Sequence, residues 1–239
     1  YSVPGSLGRV WGLLWIYDHE SKQITACETE SLPYLRWVGL TRAQFVGASR
    51  PPVAWTDRRL LEKYDRLCRM WGGPLPVYSA FHALAGRAHR GQSLHYAGLA
   101  LDVGHTLGHT ELEELRRLAL KYGDFTYVEP AHMAPTWVHV ELAVAPSASG
   151  GFFGYPELSF QDEGVYVFVL QEALRLLDLY HDALTGRFNR STLQALASFF
   201  PTAAAVSAQQ HSRRRFSAAA RRFAENCGAA VSGLLGRHI

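Results

Sequence analysis

Two short segments contain the residues best suited to chemistry. The first, SLHYAGLALDVG (residues 93–104), carries His95 and Asp102, and the second, TWVHVEL (residues 136–142), carries His139. Alternate side chains of a β-strand share a face, so neighbouring strands would bring Asp102 and His139 together, with His95 closing over them. Two imidazoles and one carboxylate would hold a tetrahedral zinc ion and leave its fourth position to water, as in catalytic sites. The sequence therefore predicts a metal centre at these three residues.

A zinc ion held in this way favours hydrolysis. It lowers the pKa of a bound water to about 7 and polarises a carbonyl group, which supplies a nucleophile and a Lewis acid together. The chain has 11 histidines, however, and an isolated His is more often a packed or surface residue than a ligand. The spacing of the residues alone leaves both interpretations open.

Strands are predicted around both segments. Residues 10–25 carry apolar and aromatic residues around a polar centre, with a turn near residues 18–22, which predicts a β-hairpin. The stretches LPVYSA, GLALDVG and TWVHVELAV are each typical of short strands bounded by turn residues. In GLALDVG, Leu101 and Val103 are expected to enter the core, because alternation turns Asp102 the other way.

Helices are predicted between and after these strands. Helical spacing of apolar residues predicts a helix over residues 57–70 with Asp57 as its cap. A second helix is predicted over residues 110–122, capped by Thr110 with Glu113 at the capping-box position. Further helices are predicted over residues 165–177, over residues 189–199 and within about the last forty residues. The pattern as a whole predicts an α+β fold.

Composition excludes several classes of function. The net charge of +3 and pI near 8.8 are too weak to indicate a nucleic-acid partner. No run approaches the roughly 18 to 20 apolar residues that span a bilayer, so no membrane span is predicted. The three cysteines, Cys27, Cys68 and Cys227, form no CxxC and are expected to be buried thiols. Because the chain begins with Tyr1 and not with Met, it is interpreted as a mature or trimmed fragment from which a targeting segment, if the protein has one, has been removed.

The segment SLHYAGLALD resembles the SxHxxGxAxD motif of the M15-type zinc peptidases. This family of D-Ala-D-Ala carboxypeptidases and peptidoglycan endopeptidases shares its fold with the hedgehog signalling domain. Its zinc ligands are the His and Asp of the motif and the His of a later (W/F)xH strand, which implies His95, Asp102 and His139 here. The resemblance covers roughly residues 60–144. It implies a mixed sheet with flanking helices, a zinc cofactor and peptidoglycan as the partner.

The general base departs from the family pattern. Many members place an acid three residues before the last ligand, but Thr136 stands there. Glu129 is the first candidate, because FTYVEPAHMAPTWVH resembles the hedgehog-like arrangement in which a Glu ends the preceding strand. His132 and Glu141 are alternatives, and each of the three could instead be an ordinary loop or surface residue.

Substrate recognition departs as well. Many members read SGYRS and use the Arg to hold a substrate carboxylate, whereas YSAFHA places His82 there. An imidazole lacks the planar fork that grips a carboxylate, which favours an endopeptidase over a carboxypeptidase. His82 is expected to contact the substrate, together with Ser93 and Trp137 of the two motifs, although it could merely pack.

Residues 163–200 resemble a helical peptidoglycan-binding domain with the pattern GxxVxxLQxxLxxLGYxxxxxDGxFGxxTxxAVxxFQ. The chain keeps Gly164, Val167, Leu170, Gln171, Leu174, Leu177, Tyr180, Gly186, Phe188, Thr192, Ala195 and Phe199. The second half of that domain is not visible after Pro201, and a helical domain without a ligand is the alternative. We predict a peptidase domain over residues 1–149, a Gly-, Ser- and Pro-rich linker over 150–164, and a helical domain over 165–239.

These observations predict a zinc-dependent peptidoglycan peptidase located outside the cell or in the bacterial cell envelope. The rival prediction is a non-catalytic wall-binding protein that keeps zinc for stability, because the usual base is missing at Thr136.

Overall fold

The computed structural model describes residues 13–36, 40–47, 51–86, 92–143, 155–156, 158 and 160–209. These residues form two β-sheets and five α-helices, which confirms the predicted α+β class. Cys227, most of the predicted linker and the helix predicted beyond residue 209 lie outside the described residues. Within the described part of the chain, no helix combines the length and apolar character needed to cross a bilayer.

The first sheet has the strand order β2-β1-β3. β1 (Leu13–Asp18) pairs antiparallel with β2 (Gln23–Cys27), and the Asp18 carboxylate accepts a hydrogen bond from the Glu20 amide (2.9 Å) within the turn. An aspartate that bonds an amide two residues on stabilises such a turn. The predicted hairpin is therefore confirmed.

The third strand of this sheet leads directly into a helix. β3 (Val53–Asp57) pairs in parallel with β1, and α2 (Arg58–Trp71) follows without a loop. The Asp57 carboxylate accepts a hydrogen bond from the Arg59 amide (2.9 Å), and the helix ends at Gly72, whose φ is +90°. The predicted helix and its cap are confirmed, whereas β3 was not predicted.

The second sheet is antiparallel, with the strand order β4-β5-β7-β6. Its strands are β4 (Val77–Ser79), β5 (Ala100–Val103), β6 (Tyr127–Val128) and β7 (Val138–Glu141). The predicted pairing of the two motif strands is confirmed, because Asp102 lies directly opposite His139. Val138 and Val140 are fully buried on the other face of the sheet, as the alternation predicted.

Two further helices belong to this half of the chain. α1 (Arg42–Val46) was not predicted, whereas α3 (His109–Tyr122) was. The predicted cap of α3 at Thr110 was wrong, because the helix starts one residue earlier. The Gly108 amide instead donates a hydrogen bond to the Glu111 carboxylate (2.8 Å).

Two helices follow the second sheet. α4 (Val165–Leu176) agrees with its prediction, and α5 (Arg190–Gln209) runs ten residues further than predicted, past Pro201. A proline removes one backbone donor and bends a helix without always ending it. Gln171 is fully buried and holds the turn between the helices, because its side-chain Oε1 accepts hydrogen bonds from the Thr185 and Gly186 main-chain amides (2.9 and 3.1 Å).

α4 packs directly against the first sheet. The ring of Phe168 stacks on the ring of Trp55 from β3, with centroids 5.2 Å apart and planes at 7°. The buried side chains of the helix and of both sheets form one continuous core. The division into a peptidase domain and a helical domain therefore stays a prediction, since these helices share the core of the sheets.

The segment that carries the first metal motif lies against β3. The Trp55 indole donates a hydrogen bond to the Tyr96 carbonyl (3.1 Å), and the Thr56 hydroxyl donates to the Gly98 carbonyl (2.8 Å). Gly98 has φ +65°, and a Cβ there would lie 1.9 Å from the Trp55 carbonyl oxygen. The motif needs glycine at this position because the two main chains touch.

Candidate metal centre

His95 is held in the turn of residues 94–98, before β5. Its amide donates a hydrogen bond to the Ser93 hydroxyl (3.3 Å), and its ring Nδ1 lies in hydrogen-bond contact with the Ala80 carbonyl. A carbonyl only accepts, so this contact places the proton on Nδ1 and the lone pair on Nε2. The ring is buried, with 1% of the residue exposed. Its orientation and tautomer are therefore fixed for binding through Nε2.

Asp102 lies between the two imidazoles. Its Oδ1 is 2.7 Å from His139 Nδ1, and its Oδ2 is 3.6 Å from His95 Nε2. One ligand atom from each of the three residues lies within 4.8 Å of the others. The structure thus brings together the three predicted ligands as a group that could bind a metal ion. The donor set fits such an ion, since two imidazole nitrogens and a carboxylate oxygen converge on one point.

Glu141 fixes the second imidazole. Its Oε1 lies 3.0 Å from His139 Nε2, on the opposite side of the ring from Asp102. If Nε2 keeps its proton for Glu141, the lone pair of Nδ1 faces Asp102 and the metal position. Ligating histidines commonly donate their other N–H to a carboxylate in this way, which orients the ring and raises its basicity.

Without a metal, the charged side chains of the site shift one another's pKa values. Burial alone would lower the pKa of His139, but the hydrogen bonds to Asp102 and Glu141 outweigh it and raise the pKa to about 9. Burial opposes ionisation of Asp102, yet the two histidines hold its pKa far below the ordinary value. At neutral pH the metal-free site therefore pairs an imidazolium with a carboxylate, and a cation must displace the proton of His139.

Glu129 lies on the ligand face of the sheet. Its amide donates a hydrogen bond to the His139 carbonyl (2.9 Å), which continues the pairing of β6 with β7 by one residue. Tyr127 pairs opposite Glu141, so Glu129, two residues on, comes opposite His139. Residues directly opposite each other in an antiparallel pair share a face. The first candidate base is therefore placed beside a ligand.

Of the two alternative bases, His132 lies in the loop between β6 and β7, as does Thr136, the position at which the family has an acid. His132 and Thr136 are exposed in the turns between β6 and β7. His132 stays a prediction as a catalytic residue. Glu141 contacts His139 directly, so it is placed to orient that ligand.

Three residues were predicted to contact the substrate. His82 is half-buried and its Nε2 lies 2.7 Å from the Ser79 hydroxyl. Burial and the neighbouring His95 lower the pKa of His82. Ser93 uses its hydroxyl for the His95 amide and its carbonyl for the Tyr155 hydroxyl (2.7 Å). Ser93 is thus placed to position His95, and its contact with a substrate stays a prediction.

Trp137 directly precedes β7, two residues before His139. Its ring lies 6.3 Å from the ring of Tyr78, which in turn lies 5.3 Å from the ring of His105. The register of β4 shifts at Tyr78, and this side chain is 65% exposed. A register shift of this kind re-aims a side chain, and here it brings an exposed aromatic ring beside Trp137.

Sequence reasoning missed two groups that shape this site. The Ala80 carbonyl orients His95, and a main-chain group leaves no signal in a sequence. Arg116 of α3 binds the loop between β6 and β7. Its signal was present, because Arg116 lies four residues after Leu112 and three before Ala119, on the buried stripe of the helix.

The chain was compared with protein-family models, with curated proteins and with solved structures, and none of them matches. The geometry of His95, Asp102 and His139 therefore carries the functional argument.

Proposed function

We propose that the protein is a zinc-dependent hydrolase that cleaves peptide bonds in the stem peptides or cross-links of bacterial peptidoglycan. The observation that carries the proposal is the convergence of His95, Asp102 and His139, with one ligand atom from each within 4.8 Å of the others. The motifs around these residues resemble those of the M15-type peptidases, and the hedgehog-like fold belongs to the same proposal.

Zinc is the proposed ion because of the donor set. Two imidazoles and one carboxylate suit zinc better than the all-oxygen sites of Mg²⁺ or Ca²⁺. Three protein ligands leave a coordination position open, as in catalytic zinc sites. When bound, zinc supplies a Lewis acid that polarises a carbonyl group and makes a water molecule more acidic.

Glu129 is the proposed general base. Its main chain pairs with that of His139, which supports the proposal that its carboxylate accepts the proton of the attacking water and delivers it to the leaving amine. Glu141 is assigned a different role, since its contact with His139 Nε2 at 3.0 Å orients that ligand. The two carboxylates therefore divide the work of proton transfer and ligand orientation.

The proposed substrate is an internal peptide bond. A carboxypeptidase needs a cation for the free carboxylate of its substrate, but the His82 imidazole lacks the planar fork that grips a carboxylate, its pKa is lowered by burial, and its Nε2 lies 2.7 Å from the Ser79 hydroxyl. Peptidoglycan and a location in the cell envelope are proposed from the family resemblance. α4 and α5 are proposed to contribute wall binding through the exposed residues of their turn.

The metal is tested first. Zinc should bind with a stoichiometry of one, and binding at pH 7 should release about one proton, because His139 is protonated in the metal-free chain. Asp102→Asn should abolish this binding. Binding that survives Asp102→Asn unchanged would refute the site.

Activity is tested by mass spectrometry of muropeptides released from purified sacculi. Glu129→Gln should lower kcat by about 100-fold or more while zinc stays bound, within the range of general acid–base catalysis. His132→Ala should keep activity within about threefold. If the wild-type protein binds zinc and sacculi but releases nothing, the non-catalytic wall-binding function is correct instead.

A further inference from the structure

The loop between β6 and β7 contains two residues of the proposed site that lie outside the paired strands β5 and β7. It begins with Glu129, the proposed base, and ends with Trp137, two residues before His139. The turn of residues 130–134 is closed by main-chain bonds from the Met133 and Ala134 amides to the Pro130 carbonyl (3.0 and 3.3 Å). These bonds shape the turn but do not attach it to the rest of the protein.

Arg116 makes that attachment. Its Nε donates a hydrogen bond to the Glu129 carbonyl (3.1 Å), and its Nη2 donates to the carbonyls of Ala134 (2.8 Å) and Trp137 (3.0 Å). One side chain thus binds the first residue, the middle and the last residue of the loop. Nη1 is paired with the Glu113 carboxylate on the same helix.

The guanidinium group suits this task. It presents five N–H donors in a rigid plane and stays charged at any pH a protein tolerates. Only 6% of Arg116 is exposed, so water does not compete for its three carbonyl acceptors. A cation is costly to bury unless it is paired and hydrogen-bonded. The chain meets both conditions, with three carbonyls and one carboxylate.

We propose that Arg116 is a positioning residue that fastens the loop of residues 129–137 to α3 and, together with the bond from the Glu129 amide to the His139 carbonyl, holds Glu129 opposite His139. The proposal rests on the proposed function, in which Glu129 is the base. His95, Asp102 and His139 do not depend on Arg116, because β5 and β7 pair through their own main chains. Arg116 therefore serves proton transfer more than metal binding.

The neighbouring residue provides a matched control. Arg117 lies on the same helix and forms the same type of ion pair, three residues apart, with Glu114 (2.6 Å). More than half of its side chain is exposed. Arg117→Gln therefore removes an equivalent charge without removing a loop contact.

The loop is tested by amide hydrogen exchange of the zinc-loaded protein. Arg116→Gln should speed exchange of residues 129–137 by about tenfold or more and leave β1–β3 unchanged, because local opening frees the loop alone. Arg116→Lys should give an intermediate rate, since an ammonium group cannot reach three carbonyls in one plane. Unchanged exchange in the loop of Arg116→Gln would overturn the proposal.

Kinetics test the link to Glu129. A misplacement of about 1 Å lowers rates by up to about 100-fold, so Arg116→Gln should lower kcat by at least tenfold, with KM and the zinc Kd within about threefold. In the Glu129→Gln background it should cause no further loss, because the two residues act as one unit. The positioning role would be overturned if the kcat losses of Arg116→Gln and Glu129→Gln multiplied in the double variant, or if the kcat loss of Arg116→Gln followed from a loss of bound zinc.

The outcomes separate this proposal from the proposed function. If the wild-type protein hydrolyses nothing, the proposed function fails, while exchange in the loop still decides whether Arg116 fastens it. If Glu129→Gln is fully active, the proposed base is wrong and the positioning role falls with it.

Discussion

The three-stranded sheet and the four-stranded sheet of this protein use their polar residues in different ways. In the first sheet, Thr56 and Asp57 are fully buried, and each has a partner that builds the fold: the Gly98 carbonyl and the first turn of α2. In the second sheet, Asp102 and His139 mainly face each other. Polar groups that are satisfied by the fold itself stabilise it, whereas polar groups that converge on one point are available to a cation.

The largest expected loss of stability comes from a change at Gly98, where the motif segment touches β3 of the first sheet. Gly98→Ala would place a Cβ 1.9 Å from the Trp55 carbonyl oxygen, at a φ of +65°. We expect a loss of more than about 4 kcal/mol in the free energy of unfolding, since both strain and overlap oppose the change. Urea denaturation measures it. Gly73→Ala, where a Cβ meets nothing within 4 Å, is the control, and equal stability of the two variants would contradict the packing.

A smaller loss of stability is expected from a change in the contact between α4 and the first sheet. Phe168→Ala removes the ring that stacks on Trp55 and should cost about 3 kcal/mol of unfolding free energy, within the range for buried aromatic residues. The zinc Kd of the folded protein should stay within about threefold. Phe160→Ala, at a residue that is 47% exposed, should cost much less. A zinc affinity that falls in proportion to stability would show that the two regions are not separable.

The next prediction concerns the second sheet, where Glu141→Gln tests whether this carboxylate orients His139. The neutral amide orients His139 less firmly, so zinc should bind about 10- to 100-fold more weakly, as for other residues that support a ligand. Competition with a chromophoric chelator measures this. The midpoint of thermal unfolding without zinc should also fall, because Glu141 stabilises the His139 imidazolium of the metal-free chain. Zinc binding by the exposed control Glu114→Gln should change little. Unaltered zinc affinity in Glu141→Gln would mean that this carboxylate does not act through His139.

The last expected effect is a dependence of the free energy of unfolding on pH through Glu172 of α4. Burial raises the pKa of Glu172 to about 7, although the Leu84 amide donates a hydrogen bond to it (3.3 Å). As pH rises from about 4.5 to about 7, the unfolded chain loses this proton before the folded one, so stability falls across that window. Glu172→Gln should therefore be more stable than the wild type above pH 7, by about 3 kcal/mol, and similar near pH 4. A constant difference at all pH values would contradict a buried acid.

Much of the second sheet could be predicted because its signals are local or specific. The alternation in TWVHVEL placed Val138 and Val140 inside and His139 on the other face, and the spacing of the first motif brought Asp102 to the same point. The cap of α2 was equally readable, since Asp57 directly precedes an apolar helical pattern.

The features that were not predicted from the sequence depend mostly on contacts between distant segments. β3 is five residues long and pairs in parallel with β1, a partner that its own pattern does not specify. Arg116 falls on the apolar stripe of α3 and Arg117 does not, but the three loop carbonyls that Arg116 binds come from a distant segment that the helix pattern does not specify. The helix cap at Gly108 was missed because a glycine offers no side chain to recognise.

The stacking of Phe168 on Trp55 limits how this chain can be divided. A fragment that stops at residue 149 would leave one face of the indole bare to solvent, and a fragment that starts at residue 150 would present the matching apolar side of α4. Both pieces would be prone to aggregate through these uncovered surfaces. The helices are consequently not an exchangeable attachment, and melting should proceed as one cooperative event across both halves.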